Sequence, residues 1–109
     1  MRWEVRYTAR ARQDLRDILD YISHDLQEPE TAVRLVRKIT AEISALAQMP
    51  MRHRLYEEEP WRSRGLRWFP VKNYLVFYWV EEETTTVYAA RVLYGRRDIP
   101  EQLKKERQP

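Results

Sequence analysis

Residues 86–98 read TVYAARVLYGRRD. From Val87 to Tyr94 the run is β-branched and aromatic, with a single charge, Arg91, inside it, and this predicts a central strand. Gly95 ends the run, and Arg96, Arg97 and Asp98 follow at once. A strand that stops in this way delivers its last charges to a sheet edge, within reach of a partner. Arg91 is a separate case. A guanidinium inside an apolar strand must either be paired or face a partner.

Outward from this stretch, the strand before it, residues 74–80, is apolar throughout. Alternation places Tyr74, Val76, Tyr78 and Val80 on one face and Leu75, Phe77 and Trp79 on the other. Residues 81–85 form the turn between the two strands. A further strand covers 66–71, with a turn at Lys72 and Asn73, and Pro70 assigns it an irregular or edge position. Together these segments make a three-stranded antiparallel meander.

The chain opens with a clean alternation, Trp3, Val5 and Tyr7 against Arg2, Glu4 and Arg6, the period of a strand with one dry face. Thr8 is placed to cap a helix over 9–26, where Leu15, Ile18, Leu19, Ile22 and Leu26 form one apolar stripe. Arg12, Arg16, Asp17 and Asp20 fall largely on its wet side. Pro29 and Glu30 suit the first turn of a second helix, which ends near Gln48 because Pro50 forbids continuation. Its seam, Ala32, Val36, Ile39, Ile43 and Leu46, reads as the packing of an antiparallel helical hairpin rather than an oligomer zipper. Ile99 and Pro100 lead to a short polar tail helix over about 101–107.

Residues 49–65 have no clear period and hold Pro50 and Pro60, with a short strand expected around Leu55. Glu57, Glu58 and Glu59 read as solvated carboxylates. His53 between Arg52 and Arg54 invites a phosphate site, but nothing in the sequence fixes its geometry.

Composition bounds the rest. The chain has 109 residues, enough for one domain, 1–109, with a modest core. It has no cysteine, which excludes disulfides and thiolate metal sites, and its two histidines lack metal-ligand spacing. No metal or cofactor is expected. No run is long enough to span a membrane and the N-terminus lacks a signal-peptide core, so a cytoplasmic protein is the simplest reading. The net charge of +3 is rich in arginine, which suits carboxylate or phosphate partners without choosing between them.

The fold class is therefore α+β: an N-terminal strand, an antiparallel helical hairpin, a three-stranded antiparallel meander and a short C-terminal tail helix. One helical hairpin covers one face of such a sheet, yet two strands are apolar on both faces. The tyrosines and tryptophans of the second face are either a protein-binding surface or are covered by the long loop and the tail.

This order, with DLRDILDYI in the first helix, a proline opening the second, NYLVFYWV and RVLYGRRD, resembles the RelE/ParE toxin superfamily of bacterial toxin–antitoxin systems. The resemblance covers nearly the whole chain. It implies a small toxin of a type II (plasmid stabilisation) system, held inactive by a cognate antitoxin that wraps over its surface. The RelE-like branch cuts messenger RNA on the ribosome and needs cations and a proton-transfer group around one phosphate. At places where that branch carries such groups, this chain has Leu75, residues near Leu66 and Trp68, and Leu103; Arg97, with Arg96 beside it, matches. The chain looks closer to the ParE-like branch, associated with inhibiting DNA gyrase by binding. The resemblance thus implies a non-catalytic gyrase or topoisomerase inhibitor with no catalytic residue. The alternative is a ribosome-dependent endoribonuclease acting on mRNA. The residues expected to meet target or antitoxin are Arg67, Tyr74, Tyr78, Arg91, Tyr94, Arg96, Arg97 and Asp98. A weaker reading is a nucleic-acid-binding module using Arg62, Arg64 and Arg67, for which solvated arginines are the simpler account.

Overall fold

A computed structural model describes residues 2–96 and 98–104 of the chain. Strand β1 (Glu4–Tyr7) leads into helix α1 (Ala9–Asp20) and a π turn, Tyr21–Asp25. Helix α2 (Pro29–Ser44) follows, closed by one 3-10 turn, Ala45–Ala47. Then come β2 (Arg67–Val71), β3 (Tyr74–Glu81), β4 (Thr86–Tyr94) and α3 (Ile99–Lys104). The expected end of the tail helix near Arg107 lies outside the described residues.

The four strands form one sheet in the order β1-β4-β3-β2. The antiparallel meander is as read from the sequence, and β1 runs parallel to β4. This places β4 in the interior and β2, with its proline, at an edge, where a residue lacking an N–H does no harm. Leu55 forms a single bridge to Arg67 at that edge, the remnant of the short strand expected there.

Local chemistry explains the helices. The Thr8 hydroxyl accepts the Ala11 N–H at 3.0 Å, capping α1, and donates to the Ala90 carbonyl at 2.9 Å, tying the cap to the sheet. The first helix is shorter than its apolar stripe suggests. After Asp20 the hydrogen bonding widens, so that the Leu26 N–H reaches the Tyr21 carbonyl, and Gln27 reverses the chain at φ 55°. In α2 and its final turn, Ala32, Ile39, Ile43 and Leu46 are wholly buried, which confirms the seam.

Two apolar cores result, one on each face. The first packs Ile18, Ile22, Ile39, Ile43 and Leu46 of the hairpin against Val76, Tyr78, Val87, Ala89 and Val92 of the sheet. The second gathers Phe77, Ala90 and Leu93 under Trp61 and Leu66 of the loop and Ile99 and Leu103 of α3, with Tyr56, Trp68, Leu75 and Trp79 at its margin. Of the two readings left open for the second face, the structure takes the second: loop and tail cover much of it. Gly65, at φ 81°, closes the tight turn that brings Leu66 back beneath Trp61, a backbone conformation that side-chain-bearing residues disfavour.

The two apolar faces of β4 do not alternate simply. Phe77 pairs with Arg91 but Tyr78 pairs with Ala89, so Ala90 is one residue too many in the ladder. The bulge shifts the phase: Val87 and Ala89 belong to the first core before it and Val92 after it, while Ala90 and Leu93 belong to the second.

Candidate functional site

The expected site residues separate into an interior group and a surface group. Arg91, 2% exposed, is interior. β1 stops at Tyr7, whose partner is Ala89, and leaves the outer edge of β4 unpaired from there onward. Helix α1 runs past this gap and fills it with Asp14. One carboxylate oxygen accepts the Val92 N–H at 2.9 Å and Arg91 Nε at 2.8 Å; the other accepts Arg91 Nη2 at 3.0 Å. Arg91 Nη1 donates to the Gln102 carbonyl of α3 at 3.0 Å. One guanidinium thus joins α1, β4 and α3, through a forked pair of charge-assisted bonds. Of the two roles open to Arg91, the structure gives it the paired one, and this corrects its assignment to a partner-facing surface.

Tyr78 is also corrected. It is wholly buried beneath the helices, and its hydroxyl donates to the Pro50 carbonyl at 2.7 Å. Burial pushes its phenol above the ordinary range. Arg67 is half-buried and donates to the His53 carbonyl at 2.6 Å, fixing the loop to β2. His53 lies flat on Phe69, centroids 4.3 Å apart, and its pKa is lowered first by burial and then by neighbouring Arg52.

The surface group clusters at the end of the β3–β4 ladder. Tyr74 and Tyr94 are register partners, their rings edge to face at 5.6 Å. Gly95 allows this end to close, since its N–H donates to the Asn73 carbonyl at 2.8 Å and a Cβ there would lie 3.2 Å from the same oxygen. Arg96 is exposed beyond it. Asp98 serves α3: its carbonyl accepts the Gln102 N–H at 3.0 Å, and its carboxylate lies 3.4 Å from the Glu101 N–H. Arg97 lies outside the described residues.

Against this tyrosine pair opens a groove of about 620 Å³, walled on the other side by α1 and the π turn. Ile18, Ile22, Leu35 and Val92 line its depth, and Tyr21, Leu26 and Tyr94 line it as exposed rings and side chains. Among the described residues no group of three or more His, Asp or Glu is arranged to hold a metal. No helix of the described residues is long and apolar enough to cross a membrane.

Sequence reading missed Asp14. The information was present: with Ala11 and Ile18, Asp14 sits on the buried side of α1. A lone acid on an apolar helix stripe and a lone arginine in an apolar strand are each costly alone, and that shared cost is the cue to pair them.

The sequence model of a family described as "ParE toxin of type II toxin-antitoxin system, parDE" matches residues 5–99. No curated protein sequence matches the chain. Among solved structures, a chain of the chromosomal ParDE toxin–antitoxin system from P. aeruginosa superposes with a TM-score of 0.69 at 21% identity, over 84% of this chain and 95% of that one. A chain of the toxin–antitoxin complex RelBE2 from Mycobacterium tuberculosis gives 0.61 at 22% identity, over 86% and 92%. A double arginine-to-alanine mutant of the E. coli toxin RelE in the free state gives 0.66 at 13% identity, over 96% and 98%. At these identities the likeness is one of fold.

Proposed function

The chain belongs to the ParE toxin family of type II toxin–antitoxin systems, and from that premise we propose that it acts in the cytoplasm by binding a target such as DNA gyrase, without chemistry of its own. A cognate antitoxin holds it inactive. The observation that carries the non-catalytic reading is the second core. RNA cleavage by a 2′-hydroxyl needs a proton acceptor, a proton donor and cations converging on one phosphate. Here Leu103 is buried and Trp68 and Leu75 pack at the margin of the same apolar cluster. A phenol at that margin, Tyr56, donates to Glu58 at 3.2 Å, and its pKa is pushed up to about 12 by burial and by that carboxylate, which makes it a poor base near neutrality. Arg91, a cation inside the strand, is already committed to Asp14.

Two assays on protein freshly released from its antitoxin test this reading. Supercoiling of relaxed plasmid by purified gyrase should be inhibited, and programmed ribosomes should yield uncut messenger RNA. Site-specific cleavage on the ribosome that disappears in a Tyr94→Phe variant would instead establish the endoribonuclease.

A further inference from the structure

The groove between the π turn and the Tyr74–Tyr94 pair has an apolar depth, and its lip at α1 and the π turn is acidic. Asp17 lines the groove itself and also an adjoining hollow formed with Asp20, Tyr21, His24 and Asp25. Asp17 accepts a hydrogen bond from Gln13 Nε2 at 2.8 Å, a neutral partner. Among the described residues neither Asp20 nor Asp25 has an ion pair. Among the described residues, the one cation lining the groove is Lys72, on the opposite lip.

Two further features mark this place. Tyr21 and Leu26, each 52% exposed, are large apolar side chains left in water beside a concave apolar surface. They stand at the start of the π turn and just past its end, where the wider turn changes the phase of the helix. This π turn closes the C-terminal end of α1, and it sets Tyr21 and Leu26 beside the groove.

We propose that this groove takes a segment of the cognate antitoxin that is apolar and basic. Its apolar side chains enter between Tyr21, Leu26 and Tyr94, and a lysine or arginine faces Asp17, Asp20 and Asp25. The inference rests on the reading of the chain as an antitoxin-bound toxin and adds the chemistry and polarity of the contact. The basic end of the segment lies toward the π turn, since Lys72 repels it from the other lip. This differs from the acidic segment that the arginine-rich end of β4 invites, and the two contacts belong to different parts of the same partner.

The test co-expresses this chain with the small protein encoded beside its gene and measures the affinity of the purified pair. Tyr21→Ala with Leu26→Ser is expected to weaken binding by roughly tenfold or more, as loss of apolar anchors does. Asp20→Asn with Asp25→Asn is expected to weaken it by about three- to tenfold at low salt, with the difference fading near ~0.5 M salt, where exposed charges are screened. These side chains are exposed, and matching thermal melts establish that the variants fold. p-Benzoylphenylalanine in place of Tyr21 should cross-link to an apolar stretch of the partner that contains lysine or arginine. Wild-type affinity in both variants, or a cross-link to an acidic stretch or to a second copy of this chain, overturns the groove assignment while leaving the toxin reading in place. Absence of any complex with the wild-type chain overturns both.

Discussion

Asp14 and Arg91 lie 77 residues apart in the chain, and their side chains meet at 2.8 Å in the interior. The pair does more than neutralise itself. Asp14 also takes up the Val92 N–H that β1 leaves unpaired, and Arg91 also holds the Gln102 carbonyl of α3. Because no buried side-chain polar atom of the described residues lacks a hydrogen bond, the desolvation of both charges is met by good geometry.

Removal of one partner should therefore be severe. Asp14→Ala or Arg91→Ala leaves a buried charge alone and is expected to cost about 3–5 kcal/mol. Urea denaturation measures this directly. The double variant Asp14→Leu with Arg91→Met should be less destabilised than either single change, because no orphan charge remains. A single variant that loses less than about 1 kcal/mol would show that the pair is not what joins α1 to β4.

His53 gives the fold a pH dependence. Its folded pKa lies below the ordinary value of 6.5, because burial against Phe69 and the nearby Arg52 disfavour the imidazolium. The unfolded chain then binds the proton more readily than the folded one. The contribution is full above the ordinary value and is lost as pH falls through that value and then through the lower folded one. His53→Phe should flatten the stability profile between about pH 7 and 5 relative to the parent chain. Identical profiles would remove His53 as the source.

The second core makes α3 part of the fold rather than an appendage. Leu103 is 3% exposed, so Leu103→Ala should cost about 2 kcal/mol or more and increase binding of a hydrophobic dye. Unchanged unfolding and dye binding would mean that the tail contributes little to covering this face.

The arginines after β4 are expected to act on the target rather than on stability. Arg96 is exposed, and Arg97 follows it in sequence. Arg97→Ala should reduce growth inhibition on induction without antitoxin while leaving the melting temperature within about 2 °C of the parent chain. Full toxicity in that variant would take Arg97 out of the site.

Much of this molecule was legible in short windows of sequence. The alternation in β1 and β3, the helical stripes, the cap at Thr8, the proline that opens α2 and the edge proline of β2 each record a local choice between water and the interior. Such choices need only the neighbouring residues, since side-chain direction repeats every two residues in a strand and about every 3.6 in a helix. The element order followed from them, and the family resemblance rested on that order.

What local periodicity could not decide is which buried group meets which. It marked Arg91 as needing a partner but could not choose between a residue of the same chain and another protein. That choice fell to Asp14, brought alongside only when α1 passes the end of β1. The extra residue at Ala90 breaks the alternation of β4, and a bulge is defined by the register of two strands, not by either one alone. Likewise, Tyr78 reads as a surface aromatic or as a core one until the hairpin is laid over it, and the second face reads as open or closed until loop and tail return to it. The sequence by itself determined the elements, because burial is written locally. The tertiary structure alone decided the buried ion pair, the covered face and the groove beside the π turn, because each depends on contacts between segments far apart in the chain.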